Sequence, residues 1–426
     1  MQARKNLLLE TRRWEALKAK MKIYRHKSGE MYKSGWVAPP SAKKGGVEYI
    51  TEERLKEVRE SGINLLQPCH SDFEDAKRLV EMAAKADVDV IIPIENTLKE
   101  DFDPSKIASE LEFYKNSENV LGISLLDEPG SISFDALNKT ANKIRPYVGD
   151  KLLYVNHMPM YATAGQLHGG WWSPYEEEAA SDDYYEFFKS FYEKVKEVKL
   201  ASYDFYPFRH EKGCCDPRYF EQMCISKKIA SDYDLPLWNF TQVTSWNRDA
   251  VRNMTYSEMS WLNNTSLACG ITGLQYFCYW TPCDTVETFE NAMVSRDGKR
   301  TKHYYFAQDL NAKIDKIAPY ILEAKFVGTI AYGDTLCAFP KQYAIRTFGN
   351  LDRFMSDGML IGCFEWQGKN MYLVVNTSVM EHRVIELSFK QAIKAKVIAG
   401  YNEFAFSGKE LNKPLGAGEA MLIIEE

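Results

Sequence analysis

From about Ser34 to Ile317 the chain repeats one pattern: a short apolar run, then a longer stretch with apolar residues every three or four positions. The apolar runs are Gly35–Pro39, Ile63–Pro68, Val88–Ile94, Val120–Leu126, Lys151–Asn156, Ala201–Tyr206, Leu235–Thr241 and Gly273–Tyr279. The stretches between and after them predict helices over Thr51–Ser61, Asp72–Ala86, Pro104–Lys115, Ser133–Val148, Asp182–Val198, Pro217–Tyr233, Tyr256–Gly270 and Lys302–Ile317. Continuous apolar strands alternating with helices mean a parallel sheet covered on its faces. Eight such units in roughly 250–300 residues fit a closed barrel better than an open sheet. No glycine-rich G-x-G-x-x-G turn follows the first strand, which counts against a dinucleotide fold.

After about residue 325 the runs become short and β-like: Thr329–Ala331, Thr335–Phe339, Met359–Trp366, Asn370–Asn376, Arg383–Leu387, Lys396–Ala399 and Ala420–Ile424. Turns such as Gln367-Gly-Lys and Gly416-Ala-Gly separate some of them. That texture predicts an antiparallel sandwich of ~100 residues. The expected fold is therefore α/β: a (β/α)8 TIM barrel over residues 31–322, then a small antiparallel β-sandwich domain over 323–426. A helical segment is expected over residues 1–30.

Charge and composition narrow the function. A net charge of -6 offers no basic surface for nucleic acid. No apolar run is long enough to span a membrane. The first residues, MQARKNLLLETRRWEALKAK, have no signal-peptide h-region. A cytoplasmic protein is expected from the sequence as it stands, and a secreted or periplasmic one if a leader has been removed. The nine cysteines follow no disulfide framework and are expected to be reduced thiols. No Cys/His spacing suggests a metal, and no cofactor is expected.

In such barrels chemistry gathers where the strands end. The ends carry Trp36, His70, Glu95-Asn96, Asp127-Glu128-Pro129, Asn156-His157, Asp204-Phe-Tyr206, Gln242 with Trp246, and Tyr279-Trp280. Trp238 lies within the seventh strand, and Trp172 in the long loop after the fifth. Aromatic faces stack on pyranose rings while fixed carboxylates and amides bond hydroxyls, so this mixture points to a carbohydrate substrate. Glu128 is the first candidate for catalysis, because Pro129 should keep it extended and hold its carboxylate at the rim. Glycosidic cleavage needs one sheltered carboxylic acid to protonate the leaving oxygen.

Gly122-Ile-Ser-Leu-Leu-Asp127-Glu128-Pro129 and Tyr203-Asp204-Phe-Tyr206-Pro207 resemble the clan A glycoside hydrolases, including the β-galactosidase-like barrels. The resemblance implies an acid/base glutamate at the end of strand four, here Glu128, and a floor tryptophan after strand eight, here Trp280. It departs from the pattern twice. Asp127 stands where those enzymes often have Asn, and strand seven ends in Gln242 where they place a nucleophilic glutamate.

The second carboxylate is thus expected from Asp204, with an inverting separation, or from Glu258. Glu258 also completes a Thr255-Tyr-Ser-Glu capping box, a structural use. The substrate is expected to meet Trp36, His70, Asp127, Asn156, His157, Trp172, Tyr206, Trp238, Gln242 and Trp280. Two other functions remain open at this level. One is a catalytically degenerate barrel that only binds glycans. The other is a lyase or isomerase using His157 and Glu128.

Overall fold

A computed structural model of the chain describes residues 25–67, 70–171, 173, 181–209, 215–247, 251–285 and 287–426. The expected helix over residues 1–30 falls almost entirely outside them. Eight parallel strands form the barrel: β1 Lys33–Trp36, β2 Leu65–Gln67, β3 Asp89–Pro93, β4 Val120–Asp127, β5 Leu152–Asn156, β6 Ala201–Tyr203, β7 Leu237–Gln242 and β8 Gly273–Phe277. Their hydrogen-bonded order runs β5, β4, β3, β2, β1, β8, β7, β6. A parallel bridge between His157 and Tyr203 joins the two ends and closes the ring.

Several helices begin where the sequence supplies a cap. Thr51 accepts from the backbone N–H of Arg54, and Asp72 from that of Asp75. Inside the ring, Tyr32, Leu65, Ile91, Leu152, Tyr154, Leu200 and Trp238 pack as one apolar plug. Gly273 makes room for it, since a Cβ there would lie 2.4 Å from the Trp238 indole. The barrel is filled from below, which leaves only its upper layer free for chemistry.

The C-terminal strands are β9 Lys325–Tyr332, β10 Leu351–Phe354, β11 Met359–Trp366, β12 Lys369–Asn376, β13 Arg383–Ala399, β14 Asn402–Leu415 and β15 Ala420–Glu425. All pair antiparallel. Strand alternation gives the sheet two apolar faces. Leu360, Phe364, Met371, Leu373, Leu422 and Ile424 belong to the barrel's core. Ile361, Cys363, Tyr372, Val374, Met421 and Ile423 join Leu387, Phe389 and Leu411 of the long β13–β14 hairpin in a second core. The sandwich therefore arises by one sheet curling onto itself, with a register break between Ser388 and Ile393. Thr335–Phe339 is not a strand, and Arg383–Leu387 and Lys396–Ala399 are parts of one strand. Strands β10 and β14 had no sequence forecast, because β14 is largely exposed and lacks a continuous apolar run.

The expectation of wholly reduced thiols is corrected. Cys215, in the loop after β6, is bonded to Cys337 before β10, with the Cα atoms 6.2 Å apart. Pairing across 122 residues leaves no local spacing signal. Replacing Cys337 by Ser should cost ~2–5 kcal/mol, by releasing a long loop in the unfolded chain. Guanidinium unfolding of the oxidised proteins measures it. No helix among the described residues is long and apolar enough to cross a membrane.

Candidate active site

Residues that alternate inward along the strands stack polar groups above the apolar plug. Gln67 on β2 bonds Gln275 on β8. The Tyr154 hydroxyl donates to Gln275 Oε1 at 2.8 Å and lies 2.9 Å from the Ser202 hydroxyl. Ser202 donates to Asn156 Oδ1 at 2.9 Å, and Asn156 Nδ2 donates to Asp204 Oδ1 at 3.2 Å. The amide of Asn156 also favours the charged form of Asp127. One side chain on β5 thus orients Asp204 just past β6 and acts electrostatically on Asp127 of β4.

Glu128 reaches the same place by a backbone device. On a continued strand, Asp127 and Glu128 would point to opposite faces. Strand β4 instead ends at Asp127, and Glu128 adopts φ +48° while its N–H still donates to the Asn156 carbonyl at 2.9 Å. This corrects the expectation that Pro129 keeps Glu128 extended. A left-handed glutamate costs of order 1–3 kcal/mol, and such outliers concentrate at functional sites. Here the turn brings Glu128 within hydrogen-bonding reach of Asp204.

Three carboxyls therefore share one rim. Loss of solvent, followed by the charges of Asp204 and Asp127, pushes Glu128 well above the usual glutamate range. Asp204, only 5% exposed, is pushed up to about 7, first by burial and then by the charge of Asp127. Asp127 is raised to about 6 by the protein around it, with the Asn156 amide opposing, although its side chain reaches solvent. Two like charges this close resist ionising together, which favours keeping a proton on the Glu128–Asp204 pair.

Across the mouth stands an aromatic wall. Trp36 packs edge-on to Phe240 at 5.5 Å; Tyr206 packs on Trp246 at 4.9 Å and on Phe277 at 5.4 Å. Trp36, Trp246 and Phe277 keep part of their surface exposed. Tyr161, under the Arg209 guanidinium at 4.5 Å, feels the charges of Asp204 and Glu128. The site sets two carboxyls of raised pKa beside ring faces.

The architecture is a TIM barrel carrying a β-sandwich. Solved structures of similar shape are a glycoside hydrolase family 5 protein from Bacteroides vulgatus (TM-score 0.55, 11% identity, 93% of this chain and 89% of that one), the α-amylase from Geobacillus thermoleovorans (0.54, 11%, 94% and 99%) and an Anoxybacillus α-amylase (0.53, 10%, 93% and 98%). At these identities the likeness is one of fold. No family model matches the chain, and no curated protein matches it in sequence.

Other expected site residues lie elsewhere in this fold. His157 follows Asn156 and so turns outward, where Phe188 and Phe191 ring it at 4.7 and 4.4 Å and its Nδ1 donates to the Ser202 carbonyl. Burial lowers its pKa to about 4. Trp238 belongs to the lower plug. Trp280 packs against Tyr49 at 4.8 Å within the main core, not on the barrel floor. His70 is buried against the Pro39 carbonyl.

Gln242 spends its amide on the backbone, accepting from the Phe208 N–H and donating to the carbonyls of Phe208 and Arg252. It clamps the loop after β6. Glu258 is the capping acid: it accepts from the Thr255 N–H and pairs with Arg252. Burial alone would raise its pKa, but these partners hold it below the usual range. Trp172 lies outside the described residues.

Trp36, Asp127, Glu128, Asn156, Asp204 and Tyr206 are brought together. Tyr161 and Phe277 were not anticipated; the only signal for Phe277 was its place in the eighth apolar run. Among the described residues, no group of three His, Cys, Asp or Glu side chains is placed to hold a metal ion.

Proposed function

We propose that the chain is a glycoside hydrolase that cleaves by double displacement with retention of configuration. The observation that carries this reading is the hydrogen-bonded pair Glu128–Asp204, raised in pKa and facing an aromatic wall. Carboxyls close enough to interact side chain to side chain lie nearer the ~5–5.5 Å of a retaining pair than the ~6.5–9.5 Å across which an inverting pair holds its water. Retention is the reading we favour over the inverting separation expected from the sequence.

Substrate takes the place of the carboxyl–carboxyl hydrogen bond. Glu128, as the acid, gives its proton to the glycosidic oxygen while the Asp204 carboxylate attacks the anomeric carbon. The bond to the leaving group breaks as the glycosyl ester forms. Glu128, now a carboxylate, takes a proton from the water that hydrolyses the ester, which restores both groups. Asn156 holds Asp204 in line, Asp127 accepts from a sugar hydroxyl, and Trp36, Tyr206 and Phe277 receive ring faces.

Anomer-resolved NMR on a panel of aryl glycosides tests the reading. The first product formed should keep the substrate's anomeric configuration. Inversion would exclude double displacement, and no hydrolysis of any member would remove the enzyme reading.

The pH profile of kcat/KM should be bell-shaped. Its acidic limb should lie near pH 7, where Asp204 loses the ionised form needed for attack. Its alkaline limb falls where Glu128 loses its proton.

A further inference from the structure

The barrel closes between β5 and β6, and it closes thinly. Among the described residues one bridge, His157–Tyr203, joins these strands. The His157 N–H donates to the Ser202 carbonyl at 3.0 Å, and the Asp204 N–H to the His157 carbonyl at 3.3 Å. Asn156 and Asp204 face each other across that seam. Backbone pairing sets their strands side by side but leaves the direction of the Asn156 amide open. Turned over, the amide would present its oxygen to the Asp204 carboxylate, and the two acceptors would repel.

Four buried side chains fix that direction. Gln67 Nε2 and the Tyr154 hydroxyl both donate to Gln275 Oε1, at 2.8 Å for Tyr154. The other end of the same amide, Gln275 Nε2, then donates to Ser202 Oγ at 2.9 Å, and the Tyr154 oxygen lies 2.9 Å from that hydroxyl. Ser202 has one proton, and with a donor already on its oxygen that proton goes to Asn156 Oδ1, 2.9 Å away. A carbonyl oxygen held in this way keeps Asn156 Nδ2 turned to Asp204 Oδ1 at 3.2 Å. Gln67, Tyr154, Ser202 and Gln275 are each at most 2% exposed, so water does not compete for these bonds.

We infer that Ser202 is a positioning residue: its hydroxyl, directed by Gln275, fixes the Asn156 amide so that the Asp204 carboxylate keeps its N–H donor. The inference rests on the glycosidase reading for the role of Asp204. It adds to that reading a side chain set below the rim.

Carbon-13 NMR of carboxyl-labelled aspartate tests this without turnover. In the Glu128→Gln background Asp204 titrates without its acid neighbour, and its signal is the one lost in Asp204→Asn. Ser202→Ala should raise the Asp204 midpoint by about 0.5–1 in pH, the worth of one hydrogen bond to the charged form. Ser202→Cys, of similar size but a weak donor, should fall between. Asn156→Ala should raise the midpoint at least as far as Ser202→Ala. Adding Ser202→Ala to Asn156→Ala should then move it no further, because Ser202 acts through that amide. Tyr154→Phe leaves Gln275, Ser202 and Asn156 linked and should leave the midpoint in place. With Glu128 restored, the acidic limb of kcat/KM should follow the same order.

A Ser202 that only supports the fold would lower stability or rate at every pH and leave midpoint and limb where they were. An Asp204 midpoint unmoved in both Ser202→Ala and Ser202→Cys overturns the inference. So does a further rise when Ser202→Ala is added to Asn156→Ala. Midpoints that shift as expected in a protein that hydrolyses no aryl glycoside keep the hydrogen-bond chain and defeat the glycosidase reading instead.

Discussion

Replacing Glu128 by Gln should lower kcat/KM on phenyl glycosides by about 10²–10⁴-fold, the usual worth of a positioned general acid. The same change should cost far less on dinitrophenyl glycosides, whose leaving group needs no proton. The amide has the size of the acid and leaves the φ +48° backbone and its bond to Asn156 undisturbed. The loss would therefore measure the proton and not the shape. The alkaline limb of the pH profile should vanish with it, because the group that titrates there is gone. Kinetics on the two leaving groups, with unfolding curves as a control for folding, decide the matter. An unchanged rate on phenyl glycosides would end the role assigned to Glu128.

How this site could be read from sequence depends on what each residue contributes. Strand ends carry local information: apolar runs bounded by helix caps located β1–β8 to within a few residues, and the top layer followed from them. Asp127, Asn156 and Asp204 were legible because they sit at inward-pointing positions just where a run stops. Side-chain direction is less legible. His157 differs from Asn156 by one position and faces the opposite way, toward Phe188 and Phe191. Strand alternation could have shown this if the register had been fixed to the plug residue Tyr154.

Trp238 and Trp280 were placed by residue type, and large apolar rings pack a core as readily as they bind a sugar. Gln242 and Glu258 owe their roles to partners from other segments, the loops carrying Phe208 and Arg252. Long-range pairing of that kind leaves no mark in spacing. The Cys215–Cys337 bond is invisible for the same reason. Glu128 was expected at the rim on an extended backbone, and it stands there on a left-handed one. The preference that Pro129 imposes on its predecessor disfavours the right-handed helical region, and it does not dictate the left-handed turn that the rim requires.

Replacing Asp204 by Asn should have two effects of opposite sign. Activity should fall at least as far as in Glu128→Gln, since an amide does not attack the anomeric carbon. Stability should rise. In the folded chain the Asp204 carboxyl is held at about 7 against an ordinary value of 3.8, so folding disfavours its charged form. A carboxyl raised in this way leaves folding unpenalised at pH values below its ordinary pKa, where it is protonated in both states. The penalty grows as the unfolded chain ionises and is complete above the folded pKa. At ~1.4 kcal/mol for each unit, relief at pH 8 has a ceiling of about 4 kcal/mol. Sharing of the proton with Glu128 brings the expected gain nearer 2 kcal/mol. The neutral amide still presents an oxygen to Asn156 Nδ2, so the network from Gln67 upward stays intact. Urea unfolding at pH 8 should show the variant more stable than the parent, with the difference closing toward pH 4. A variant that is less stable at pH 8 would mean that the ionised carboxylate is welcome in the fold, and the shared proton on which the catalytic reading depends would go with it.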